Sequence, residues 1–208
     1  MTLAAQNTPA PRTNATDEPM LFWMAIAGAV AILLLAVGLA FVFDVDLLAG
    51  FSSSPFLILT QVFQGLVATI PMVAFLFLFM RIDSPPVVSF REAQLEFIRD
   101  IGFRITPVRI ALIAIAAGVS EEFLFRGVFQ SALTQYMPIA IAILLPNIIF
   151  GLLHARTALY AIVAGALGIY LGISFAVLGS LLPVIIAHGL YDVAALVFAQ
   201  RALEERAV

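Results

Sequence analysis

The chain contains no cysteine and no lysine. Without cysteine there is no disulfide framework, no thiolate metal site and no cysteine nucleophile. Every basic residue is an arginine, and the arginines are scattered rather than clustered, so there is no footprint for nucleic acid. Charged residues make up only 11% of the 208, and the net charge of −3 says little about partners. The polar composition of a soluble domain is missing too: 63% of the residues are apolar and the mean hydropathy is +1.11. Together these exclude an ordinary soluble domain and indicate a multi-span membrane protein.

What is present is a series of long apolar runs, each a candidate transmembrane helix. We read six spans, at about 20–43, 56–80, 107–136, 138–155, 157–178 and 181–200, with "GFSSSP" separating the first two. Residues 1–19 are polar and Pro-containing and read as a disordered tail. They lack the basic start running into an apolar core that marks a secretory signal, and the first span is long enough to stay as an anchor. Under this topology Arg12, Arg81, Arg91, Arg99, Arg104, Arg156, Arg201 and Arg206 fall on one side, with Arg109 at that edge. The opposite loops carry Asp44 and Asp46. By the positive-inside rule both termini are cytoplasmic.

The longest loop, about 81–107, reads as a cytoplasmic amphipathic helix lying on the membrane surface. Pro85 and Pro86 interrupt it, Ser89 and Glu92 form a capping-box pattern, and Phe90, Phe97, Ile98 and Ile101 follow at helical spacing. In the fifth span Ala161, Gly165, Gly168 and Gly172 form a stripe of small residues that lets helix backbones approach, here within one chain.

Outside the loops, the last four spans hold few ionisable residues: Glu121, Glu122, Arg126, His154, His188 and Asp192. A charge at the bilayer centre costs about 2.5–3.5 kcal/mol even on the lenient insertion scale, and such groups face a bundle interior or an aqueous cavity. One ion pair reads as structure; this many groups on three helices read as a site. Glu122 and Arg126 stand four apart with the Glu first, the favourable order for an intrahelical pair, and Gln130 and Thr134 continue the stripe. Glu121 is rotated about 100° from Glu122, so the spacing pairs Glu122 with Arg126 and leaves Glu121 free. A single buried network of all three is the competing reading.

In the fourth span Asn147, Phe150 and His154 share a face, and in the sixth His188 and Asp192 stand at i, i+4. A lone membrane histidine is commonly a satisfied polar contact, whereas two of them on different helices from a free carboxylate point to a site. Glu121, His154, His188 and Asp192 can hold a water against a peptide carbonyl, with Glu121 as base and the imidazoles stabilising charge. The same four are also a plausible ligand set for one divalent metal ion such as zinc. No metal is assigned. One feature fits poorly: by these boundaries His154 and His188 lie toward opposite membrane edges, and Pro146 and Pro183 offer bends that can reconcile them.

Three motifs now stand in order. "EEFLFR" (121–126), "FGLLH" (150–154) and "HGLYD" (188–192) resemble the EExxxR, FxxxH and HxxxN/D elements of the CPBP intramembrane proteases. That family includes the CAAX prenyl endopeptidases and the bacterial Abi proteins. The resemblance covers about 108–200, leaving the first two spans outside it. It implies that Glu121 activates the attacking water with His154, and that His188 and Asp192 support the oxyanion. Glu122, Arg126, Phe150 and Asn147 would shape the site. Where relatives place Asn, this chain has Asp192. An ionised carboxylate cannot donate to an oxyanion, so Asp192 is protonated, orients His188, or binds a metal. The family is similar to both metal-dependent and glutamate-type proposals, and no tightly bound metal is expected here.

The expectation is therefore an all-α polytopic membrane bundle of about six transmembrane helices, with four of them carrying the site. A cytoplasmic tail (1–19) precedes two spans and the amphipathic loop (20–106), and a protease core (107–208) follows. The resemblance implies an intramembrane endopeptidase of the bacterial cytoplasmic membrane, with the lipid bilayer and a membrane-associated, optionally prenylated, peptide or protein substrate as its partners. Other protease types fit worse: HExxH is absent, a second intramembrane Asp is missing, and no serine stands in a GxSxG context. A non-catalytic membrane binding or immunity protein of the same fold is the alternative. A proton-relaying transporter fits least, because inverted repeats and paired broken helices are lacking.

Overall fold

The computed structural model describes residues 18–206, so the tail expected over 1–19 lies almost wholly outside the described residues, as does Arg12. Seven helices and no strand occur among them. They are α1 (Glu18–Phe43), α2 (Pro55–Phe79), α3 (Pro85–Asp100), α4 (107–134), α5 (Ile139–Leu153), α6 (Ala158–Leu178) and α7 (Leu181–Glu205). Helix α4 is composite: Pro107–Glu122 is α-helical, Phe123–Gln130 winds as a π-helix, and Ser131–Thr134 closes it.

The helix starts follow from local chemistry. Pro55, Pro85 and Pro107 occupy the first helical turn, where a missing N–H costs nothing. The hydroxyls of Thr106, Thr157 and Ser180 accept backbone N–H groups from Arg109, Tyr160 and Leu182. Gly179 ends α6 in the left-handed conformation, at φ 67°. The capping box read at Ser89 and Glu92 does not form: α3 begins a turn earlier, with Ser84 at its N-cap and Ser89 inside the helix. The proline pair taken as an interruption is the start of the helix.

Four helices, α1, α2, α6 and α7, are long and apolar enough to cross a membrane. The remaining two expected spans are α4, which carries the charges of the site, and α5, whose 15 residues reach about 22 Å at 1.5 Å per residue. Chain direction alternates as six crossings require. At one end the α4–α5 turn meets the end of α1, where Gln135 donates to the Phe43 carbonyl at 3.5 Å. Gly50 abuts Gly179 there so closely that no side chain fits between them. At the other end the start of α1 meets the α3–α4 connection through the Phe22 and Phe103 rings, 5.5 Å apart. Arg206, just past α7, forks onto Glu92 of α3 there, at 2.7 and 2.8 Å. Arg81, Arg91, Arg99, Arg104, Arg156 and Arg206 therefore gather at one end, and Asp44 and Asp46 lie at the other.

Small residues set the helix spacing. A Cβ on Gly118 would lie 3.1 Å from Gly189 of α7. One on Gly65 of α2 would lie 2.8 Å from the Pro183 carbonyl. The α6 stripe packs inside the chain as expected: Gly165 faces Gly151 of α5, and Gly172 faces Gln130 and Asn147. Leu95 and Ile98 of α3 are buried against Ala199 of α7, and Phe90 meets the rings of Phe79 and Tyr160. Its apolar face thus rests on the bundle, whereas the loop reading laid it on the membrane surface. The loop sequence is amphipathic in either case, and only packing chooses the partner of that face.

Candidate active site

The ion pair read from spacing is present and completely buried. Arg126 donates to Glu122 Oε1 at 2.8 Å, and both side chains have zero exposure. The guanidinium also donates to Asn147 Oδ1 at 2.9 Å and to the Gly168 carbonyl at 2.7 Å, which ties α4 to α5 and α6. Asn147 is itself held, its amide donating to the Ile143 carbonyl at 2.7 Å. Gln130 continues the stripe by donating to the Gly172 carbonyl. Thr134 does not: it is exposed and bonds back to Ser131. The π segment explains the difference, because wider winding rotates everything after it away from a 3.6-residue register.

His188 Nδ1 lies 2.7 Å from the same Glu122 oxygen, so its N–H donates to the carboxylate. That contact links α7 to α4 and turns Nε2 of the ring outward. Nε2 stands 3.6 Å from Asp192 Oδ2 and 3.9 Å from Glu121 Oε2. Glu121 keeps 21% of its side chain exposed while its neighbour Glu122 keeps none. Two adjacent glutamates thus have different surroundings: one is enclosed between Arg126 and His188, and the other opens onto a cavity.

The cavity has a volume of about 480 Å³ and is bordered by Glu121, His154, His188 and Asp192 together. His154 stands apart from the other three. It caps α5, and its Nδ1 lies 2.8 Å from the Phe150 carbonyl, making Nδ1 the donor and leaving Nε2 as an acceptor. Phe150 bridges the walls, its ring centroid 4.4 Å from that of His154, 6.2 Å from that of His188 and 5.3 Å from the Arg126 guanidinium. The depth mismatch between the histidines is thereby corrected. Helix α5 ends at Leu153, so His154 at its C-cap borders the same cavity as His188 of α7.

Three features lay outside the reach of local pattern. The Glu122–His188 contact joins residues 66 positions apart. The π winding sits between the paired residues themselves. The cavity wall also includes Met72 and Leu76 of α2 and Phe90 and Gln94 of α3, from the part of the chain outside the three motifs. The capping-box and loop signals that could have placed α3 were read one turn late.

Two imidazoles and two carboxylates are the donor types that suit zinc. Here, however, no set of three or more His, Asp or Glu side chains is gathered closely enough to hold a metal ion among the described residues. The Asp192 and Glu121 oxygens stand 3.6 and 3.9 Å from His188 Nε2, and His154 turns its Nδ1 onto its own helix.

These features define a class: a polytopic helical membrane bundle with a carboxylate–imidazole cluster facing an internal cavity. Residues 104–194 match the family model described as type II CAAX prenyl endopeptidase Rce1-like, the CPBP-type family that the three motifs resemble. The matched stretch contains all three motifs and runs from the start of α4 into the middle of α7. No curated protein and no solved structure matches the chain.

Proposed function

We propose that the protein is an intramembrane endopeptidase that hydrolyses a peptide bond of a membrane-associated protein or peptide. One observation carries the reading: Glu121, His188 and Asp192 converge on an internal cavity while the adjacent Glu122 is neutralised by Arg126. Glu121 is then the carboxylate available to a water. It takes the water proton as hydroxide adds to the carbonyl carbon, and returns it to the leaving amine as the C–N bond breaks. His154 Nε2, an acceptor across the cavity, assists in orienting that water. His188, fixed through Nδ1 by Glu122, directs Nε2 toward the reacting carbonyl, and in its protonated form donates there and to Asp192. Asp192 orients the imidazole. No step is routed through a metal.

The arginine-bearing end of the bundle supports a cytoplasmic location for both termini and for α3. The substrate would then be presented from the cytoplasmic side, where the cavity is roofed by α3.

The test compares wild type, Glu121→Ala and Glu121→Gln, purified in detergent, on a quenched peptide library that includes farnesylated CAAX peptides. Loss of about 10²–10⁴-fold in kcat for both variants, with intact folding, is expected when the base is removed. Cleavage that survives both changes removes Glu121 from the mechanism. Inactive wild type, together with full cellular function of the variants, favours the membrane-binding reading. Metal analysis runs alongside it: stoichiometric zinc whose removal abolishes cleavage overturns the metal-free route.

A further inference from the structure

The inference rests on the endopeptidase reading and concerns the charge that forms during it. Addition of hydroxide to a peptide carbonyl creates an oxyanion, which needs preorganised N–H or O–H donors. The four site residues offer few of them. Glu121 and an ionised Asp192 only accept. His154 uses its Nδ1–H on the Phe150 carbonyl and presents an acceptor. His188 presents Nε2, but two carboxylates already flank that nitrogen, at 3.6 and 3.9 Å. A relative with Asn in place of Asp192 would have an amide donor here, and this chain does not.

Other donors border the cavity, Gln94 and Arg156 among them, but one neutral donor is seated in ring contact with His154. Tyr160, in the first turn of α6, lines the cavity together with the four site residues. Its ring is fixed edge-on against His154 at 5.8 Å and against Phe90 at 5.5 Å. Its backbone N–H is held by the Thr157 hydroxyl at 3.0 Å. The phenol makes no hydrogen bond to any described residue, whereas Tyr170, further along α6, donates to the Ala68 carbonyl at 3.0 Å. The Arg156 guanidinium, and after it the Asp192 and Glu121 carboxylates, are near enough for their charges to act on the Tyr160 phenol. Tyr191 also borders the cavity, but its ring packs with the apolar cluster of Met72, Leu171 and Val184.

We propose that Tyr160 is a catalytic residue whose hydroxyl donates to the substrate carbonyl oxygen as it becomes an oxyanion. The phenol keeps its proton throughout, and no bond to it is made or broken. In this chain Tyr160 supplies the hydrogen bond that Asp192, as a carboxylate, cannot.

The experiment is steady-state cleavage of a quenched farnesylated CAAX peptide by full-length wild type, Tyr160→Phe, Tyr191→Phe and Glu121→Gln. Tyr160→Phe keeps both ring contacts and removes only the donor. It should lower kcat by about 10²–10³-fold with KM within threefold and an unchanged thermal midpoint, while Tyr191→Phe matches wild type. Wild-type kcat in Tyr160→Phe overturns the assignment, as does a rise in KM at constant kcat, or a loss confined to Tyr191→Phe. The two readings fail in different ways. If wild type cleaves and Glu121→Gln does not, an active Tyr160→Phe removes only the tyrosine. If wild type cleaves nothing, the endopeptidase reading falls and this inference falls with it.

Discussion

Removing Arg126 tests whether the buried network is what holds the core together. Arg126→Met keeps length and apolar bulk but deletes three hydrogen bonds, to Glu122, Asn147 and Gly168. Glu122 would be left with zero exposure and His188 as its remaining partner. Breaking a buried pair by removing one member costs about 3–5 kcal/mol, because the other charge stays behind unpaired. At about 2–4 °C per kcal/mol for a chain of this length, the thermal midpoint should fall by about 10 °C. The assay is the temperature at which half of the detergent-solubilised protein leaves its monodisperse chromatographic peak. The paired control is Glu122→Leu/Arg126→Met. Replacing both charges by apolar groups is often neutral or stabilising, so this variant should return to within a few degrees of wild type. Its peptide cleavage should stay abolished, because His188 has lost the acceptor that aims its ring. A drop of less than about 3 °C in Arg126→Met, or a double variant no more stable than the single one, would refute the reasoning.

Glycine positions give a second contrast. A Cβ on Gly151 would run into the Ala161 carbonyl and force α5 and α6 apart, whereas one on Gly28 meets nothing within 4 Å. Gly151→Ala should destabilise by about 1–3 kcal/mol; Gly28→Ala should be neutral or slightly stabilising in the same thermal assay, since Ala is the better helix former. The Glu92–Arg206 fork gives a pH dependence. Its hydrogen bond from Arg206 holds the Glu92 carboxyl below its ordinary value, so the contribution is complete above the usual carboxylate range and is lost as pH falls through the lowered value. The protection factor of the α3 amides, with intrinsic exchange divided out, should therefore be constant between about pH 6 and 8 at about 0.1 M salt, then fall below about pH 4. Glu92→Gln should exchange faster at neutral pH and lose that dependence; identical profiles for the two proteins would show that the fork does not secure α3.

Much of this architecture was legible because membrane helices obey local rules. Apolar run length placed the helices to within a few residues, and Pro and Ser/Thr boundaries explain where α2, α4, α6 and α7 begin. The i, i+4 spacing correctly paired Glu122 with Arg126 and separated Glu121, and the small-residue stripe of α6 correctly implied close packing within the chain. The failures share a cause. Thr134 left the stripe because the backbone between it and Arg126 winds as a π-helix, a choice set by neighbouring helices. Helix α3 was read one turn late and given lipid as the partner for a face that packs on α7.

By itself, then, the sequence determined that the chain is a helical membrane bundle, which residues carry charge inside it, and which carboxylate is paired. Those are consequences of hydropathy and of geometry within a single helix. Only the tertiary structure decided that His188 shares an oxygen of Glu122 with Arg126, that α2 and α3 help wall the cavity, and that a tyrosine phenol is left without a partner beside the site. Each depends on how helices far apart in the chain approach one another. Hydrogen bonds act over about 3 Å, whereas sequence patterns report only the direction a side chain takes from its own helix.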